Sequence, residues 1–183
     1  MYVSRNMSTV LFADDTTLLF RHENFQQLIQ SCNSELEKFR QWCISNRLSL
    51  NVEKTCALVS SNRTYDQNFR ILFGNSPIRI CSEFAFLGVK IDSHLKFTSH
   101  TRDVCNKVSK NVGILYKLSN YVSKLTLRSI YFSLIFPYLS YCNIAWGNAF
   151  TVHLNRNVKL QKRAVRIFCK AHFKSHTDKF LKS

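Results

Sequence analysis

The chain has 183 residues, room for one domain or one and a small second. Its 45% hydrophobic and 13% aromatic content is enough for a packed core. With 4 Gly and 2 Pro it is no low-complexity tract and holds no glycine-rich phosphate loop. The formal charge of +15 is one-sided: residues 1–92 carry 10 Lys+Arg against 9 Asp+Glu, and residues 93–183 carry 16 against 2.

A basic half of this kind attracts polyanions, most commonly through phosphate; a solvated, self-repelling surface is the alternative. The 7 cysteines are odd in number and scattered without a C-x-x-C pair. That pattern suggests reduced thiols in an intracellular protein, several at apolar positions such as Cys32 and Cys43. The opening Met1-Tyr2-Val3-Ser4-Arg5 has no long apolar core and is not read as a signal peptide.

Residues 8–21 read as a β-hairpin. Thr9-Val10-Leu11-Phe12 and Thr16-Thr17-Leu18-Leu19-Phe20 are rich in β-branched and aromatic residues, and Ala13-Asp14-Asp15 supplies the turn. Residues 25–45 read as an amphipathic helix. Leu28, Cys32, Leu36, Phe39 and Cys43 form one stripe, and Asn24 with Gln27 suggests a capping box. Leu48, Leu50 and Val52 then alternate with polar residues ahead of Thr55–Val59, which predicts a strand. Phe69–Phe73, Ile78–Cys81 and Phe84–Ile91 predict further short strands.

From Thr98 onward the period is helical. Val104, Val108, Val112, Leu115 and Leu118 mark one helix, with Lys107, Lys110 and Lys117 off that face. Lys124–Tyr141 predicts a second helix, bent or broken near Pro137. Leu154–His172 predicts a third, with Val158, Val165 and Phe168 opposite Lys159, Lys162, Arg163 and Arg166. Ser129–Asn155 has no charged residue, but Ser133, Pro137, Ser140 and Asn143 interrupt it. A buried helix is therefore expected there rather than a membrane span. The expected class is α+β: short antiparallel strands with one long helix over 1–92, then basic helices over 93–183.

Asp14 and Asp15 are the candidate site. Hard cations take carboxylate oxygens, and a tight hairpin lifts two adjacent carboxylates out of a sheet on a rigid support, the arrangement nucleotidyl-transfer enzymes use. Cys169, His172 and His176 have metal-ligand spacing but lack a fourth ligand and a second half-site. His22, His94, His100 and His153 are isolated, and no Cys–His pairing supports a nucleophile.

Several segments taken in order are more specific than the carboxylate pair alone. Phe12-Ala13-Asp14-Asp15-Thr16 resembles the Phe/Tyr-Ala-Asp-Asp box of reverse transcriptases of non-LTR retrotransposons, the Jockey-like LINE class. Trp42, followed by Leu50-Asn51-Val52-Glu53-Lys54-Thr55, is similar to that family's helix end and Leu-Asn-x-x-Lys-Thr segment. Phe86-Leu87-Gly88-Val89-Lys90 looks like its Leu-Gly primer-grip segment. Leu134–Tyr141 ahead of Trp146-Gly147, and Leu160–Arg166, resemble sequence of the thumb and beyond.

The resemblance implies RNA-directed DNA polymerisation with an RNA template, a DNA primer and Mg²⁺. It makes Asp14 and Asp15 metal ligands and Lys54 the basic residue near the triphosphate. Phe86, Leu87 and Gly88 would place the primer end, and the Lys/Arg helices would hold the duplex by its phosphates. Without the resemblance, Lys54 reads as a solvated strand end and Phe86–Gly88 as strand core with a bulge. Only 13 residues precede Asp14 and none is acidic, so the upstream catalytic Asp and the fingers of such enzymes have no counterpart here. The chain is expected to be a partial palm, a thumb and a little beyond, and not to polymerise alone. A non-catalytic nucleic-acid-binding fragment and a nonfunctional remnant are the alternatives. By the thiols and the resemblance, an intracellular and nuclear setting is expected.

Overall fold

The computed structural model describes residues 7–62, 64–66, 68–147 and 151–171, and only the backbone of 151–154. The chain separates into two compact units, Met1–Phe84 and Ala85–Ser183. Strands and helices are mixed in an α+β arrangement.

In the first unit β1 (Met7–Phe12) and β2 (Asp15–Phe20) pair antiparallel, and the Phe12–Asp15 pair closes a two-residue turn. Helix α1 (Phe25–Ser45) follows. Asn24 caps it, its Oδ1 accepting from the Gln27 N–H at 3.1 Å. The capping box is not reciprocal, because the Asn24 N–H donates to His22 Nδ1 at 3.0 Å. The apolar stripe of α1 buries Cys32 and Leu36 against Ile71 and Ile78, with Leu18, Phe20, Ile29 and Phe73 packed around them. Each such side chain contributes about 1.5–3 kcal/mol when fully buried. Asn33 ties the helix to the following segment: its amide donates to Arg70 O at 3.1 Å and accepts from the Leu72 N–H at 2.9 Å.

The expected strand through residues 48–52 does not form, because the Asn51 side chain bonds to nearby backbone and draws the segment into a turn. Extended pairing starts at β3 (Cys56–Leu58). It is parallel, to β6 (Arg79–Cys81), where antiparallel strands were expected throughout. Between them β4 (Leu72–Phe73) and β5 (Ser76–Pro77) make a short antiparallel hairpin turning at Gly74, φ 62°.

β7 (Glu83–Phe86) and β8 (Val89–Asp92) form another hairpin, so Phe84–Ile91 is two strands rather than one. In the second unit Asp92 then organises the chain. Its carboxylate accepts the backbone N–H groups of His94 (3.0 Å), Lys96 (3.1 Å) and Phe97 (2.6 Å), leading into α2 (Thr98–Leu118). Next come α3 (Lys124–Leu134), α4 (Phe136–Ser140), α5 (Asn143–Trp146) and α6 (Thr151–Phe168). The break after α3 is where Pro137 places it: proline lacks an N–H and disfavours helical backbone just before it. Val108 and Leu115 of α2, Leu127 of α3, Ile135, and Ala164 and Val165 of α6 are fully buried in one core.

The uncharged run from Ser129 is not one buried helix. It is cut into short pieces that leave Phe132, Phe136, Tyr138 and Tyr141 well exposed, and Ile144 is 95% exposed. Among the described residues no helix is long and apolar enough to cross a membrane.

Candidate nucleotidyl-transfer and nucleic-acid site

Asp14 and Asp15 sit at the tip of the β1–β2 hairpin, both exposed, with Ala13 beside them in a left-handed conformation at φ 51°. The base of the hairpin is anchored on α1 through Leu18 and Phe20. Towards the tip the support ends: Leu11 is 57% and Phe12 58% exposed, and no third strand pairs with either edge among the described residues. Two neighbouring carboxylates in water repel each other modestly, and a divalent cation relieves that repulsion. Their oxygens are the donor type Mg²⁺ takes. No group of three His, Cys, Asp or Glu converges on a metal position among the described residues, so the ligands present are fewer than a closed protein cage needs.

Lys54 owes its position to a local motif. Asn51 Oδ1 accepts from the Lys54 N–H at 3.1 Å, and the Thr55 hydroxyl donates back to Asn51 O at 2.8 Å. Asn and Thr make such side-chain-to-backbone bonds readily, so Leu50–Thr55 folds as a capped turn with Lys54 exposed on it. Lys54 is not ion-paired with Asp14 or Asp15 in the described structure.

Phe86, Leu87 and Gly88 are not strand core with a bulge: they close the β7–β8 hairpin. Leu87 (φ 46°) and Gly88 (φ 82°) are both left-handed, as a two-residue hairpin turn of the primed type requires. Leu87 lies exposed at the turn, and its carbonyl accepts from Tyr141 Oη at 2.6 Å. The sequence offered no sign of that bond, since its partners are 54 residues apart.

The basic residues of the second unit fall as the periodicity predicts. Lys107, Lys110 and Lys117 are on the exposed side of α2, and Lys107 Nζ lies 5.4 Å from the Tyr138 ring centroid. On α6, Lys159, Lys162 and Arg163 are exposed and share a face with half-buried Arg166. Arg156, which sequence reasoning passed over, extends the row. From Arg156 to Arg166 the row runs about 15 Å at 1.5 Å per residue. The described acidic residues of this unit are already engaged: Asp92 holds three backbone N–H groups, and Asp103 pairs with Lys90 Nζ at 2.7 Å. The Lys90 hydrogen bond holds the Asp103 carboxyl below its usual range against the opposing effect of burial. The cationic row of α6 has no acid on its own helix. His172, His176 and Asp178 lie outside the described residues, as does the side chain of His153.

The chain that carries these exposed paired carboxylates, the capped lysine turn, the tight Leu-Gly hairpin and the cationic helix face is similar to polymerases of mobile elements over most of its length. It is 28% identical over 158 residues to the RNA-directed DNA polymerase from mobile element jockey of Drosophila melanogaster, covering 85% of this chain and 17% of that protein. It is 25% identical over 163 residues to the Pol polyprotein from type-1 retrotransposable element R1 2 of Nasonia vitripennis, covering 82% of this chain and 39% of that one. A probable RNA-directed DNA polymerase from transposon BS of Drosophila melanogaster matches at 26% over 165 residues, 85% of this chain and 18% of the relative. The resemblance to reverse transcriptases of non-LTR retrotransposons is thereby borne out, and the chain spans well under half the length of these relatives. No family profile and no solved structure matches it.

Proposed function

We propose that the chain is a segment of a non-LTR retrotransposon reverse transcriptase, residues 1–92 part of the palm and residues 93–183 the thumb and the stretch beyond. In an intracellular, nuclear setting the parent enzyme extends a DNA 3′ end on an RNA template. Asp14 and Asp15 hold Mg²⁺, which supplies charge neutralisation and orientation of the reacting phosphates when bound. Lys54 stands near the triphosphate as proton donor to the departing pyrophosphate. Phe86, Leu87 and Gly88 meet the primer end. Lys107, Lys110, Lys117, Lys159, Lys162, Arg163 and Arg166 take the duplex phosphates.

The observation that carries this reading is similarity to RNA-directed DNA polymerases through about 85% of the chain, with the Asp-Asp pair raised on an exposed hairpin tip. Two carboxylates without a third converging acidic group among the described residues support the further statement that the 183 residues do not polymerise by themselves. Mn²⁺ titration followed by NMR tests the metal site. Line broadening is expected around residues 13–16 and is expected to vanish in the Asp14→Asn/Asp15→Asn double variant. Broadening that survives the substitution overturns the assignment. Primer extension by the purified chain would overturn its inactivity.

A second reading, a basic nucleic-acid-binding segment without chemistry, is favoured by the cationic face of α6, a helix with no acidic residue. It predicts salt-sensitive duplex binding with no Mn²⁺ response at the hairpin tip.

A further inference from the structure

The Leu87-Gly88 turn is held from outside its own hairpin. A primed two-residue turn suits Asn-Gly, and leucine in the left-handed region is disfavoured because its Cβ crowds the backbone. Yet Leu87 stands at φ 46°. Tyr141 supplies what the local sequence does not. Its hydroxyl donates to Leu87 O at 2.6 Å, and its ring carbon Cε1 lies 3.9 Å from where a Cβ on Gly88 would be. A Cβ there would sit in ordinary contact with the ring, so it is the left-handed backbone at φ 82°, not the ring, that calls for glycine at position 88.

Tyr141 is in turn fixed from behind. Trp146 Nε1 donates to Tyr141 O at 2.8 Å, and Trp146 is buried. The His100 ring meets Trp146 edge-on at 5.5 Å between centroids, and His100 Nδ1 accepts from the Lys90 N–H at 3.4 Å. A line of contacts therefore runs from α2 through Trp146 to Tyr141 and out to an exposed turn. The Tyr141 side of that line is wet: the residue is 51% exposed, so core burial does not explain where its ring sits.

We propose that Tyr141 is a positioning residue. It holds the Leu87-Gly88 turn in its left-handed conformation, so that the turn meets nucleic acid in one geometry. The contact with nucleic acid rests on the function proposed above; the hold on the turn does not.

The test uses the whole chain and Tyr141→Phe, which removes only the hydroxyl. Hydrogen exchange across residues 85–92 is expected to quicken about tenfold while the melting temperature stays within a degree or two of the parent. Affinity for an RNA–DNA duplex with a recessed DNA 3′ end is expected to fall several-fold, with affinity for the blunt duplex unchanged. Leu87→Asn, which tolerates left-handed backbone, should restore the slow exchange in the Tyr141→Phe background. Unchanged exchange in Tyr141→Phe overturns the hold on the turn. Faster exchange with undiminished recessed-end affinity overturns the positioning role. If the parent chain binds recessed and blunt duplexes alike, the primer contact itself is refuted, and exchange alone decides whether Tyr141 holds the turn.

Discussion

Asp92 shows how one carboxylate can set several backbone angles. Leu95 (φ 54°) and Phe97 (φ 53°) both take left-handed backbone in the segment whose N–H groups converge on its oxygens. Burial pushes this carboxyl up, but the N–H bonds from Lys96, Phe97 and His94 outweigh it and leave the pKa below its usual value. The native state therefore releases this proton more readily than the unfolded chain does. The resulting stability is present above the ordinary aspartate pKa and is lost as pH falls through the lowered native one. Asp92→Asn, which keeps the shape and loses the charge, is expected to cost about 1–3 kcal/mol near neutral pH, the scale of hydrogen bonds to a charged group. Chemical denaturation from pH 7 down to 3 checks it: the gap between parent and variant should narrow with acid. A constant gap would show that the charge plays no part.

At the scale of elements, much was legible beforehand and the misses have physical causes. Helix α1 is where the stripe from Leu28 to Cys43 and the Asn24 cap put it, because a 3.6-residue apolar period and a cap coincide there. The β1–β2 hairpin was equally plain in Ala13-Asp14-Asp15 between two β-rich runs. The β7–β8 turn was not, because Leu87 is no turn residue and its support comes from Tyr141, far along the chain. The alternation at Leu48, Leu50 and Val52 misled for a local reason: Asn51 uses its side chain to cap a turn. The parallel pairing of β3 with β6 joins segments 20 and more residues apart, which no short-range pattern encodes. The cationic face of α6 needed only helical periodicity and carries its own prediction. Replacing Lys159, Lys162 and Arg163 by Gln should weaken duplex binding and lower the slope of log K against log salt by about 2–3, at roughly 0.9 for each phosphate no longer neutralised. A filter-binding series over several salt concentrations reads that slope directly, and an unchanged slope would remove α6 from the interface.

At the scale of the whole molecule, acidic site candidates and basic excess belong to different units: Asp14, Asp15 and Lys54 to the first, the cationic helices to the second. The proposed metal site at the tip and the proposed polyanion contacts of the helices can thus be probed separately, and substitutions on α6 should leave the Mn²⁺ response of the tip untouched. The hairpin has a consequence of another kind. Met7-Ser8-Thr9-Val10-Leu11-Phe12 has no charge, no Pro and no Gly, and Val10, Leu11 and Phe12 are exposed. Such an edge accepts an identical strand from another molecule readily. The formal charge of +15 works against association of two copies, although the half that carries the hairpin holds 10 Lys+Arg against 9 Asp+Glu. Salt high enough to strip polyanions from a basic protein also screens this repulsion. The most thoroughly cleaned preparation should therefore be the one that turns cloudy first, and Val10→Lys should keep it clear under light scattering.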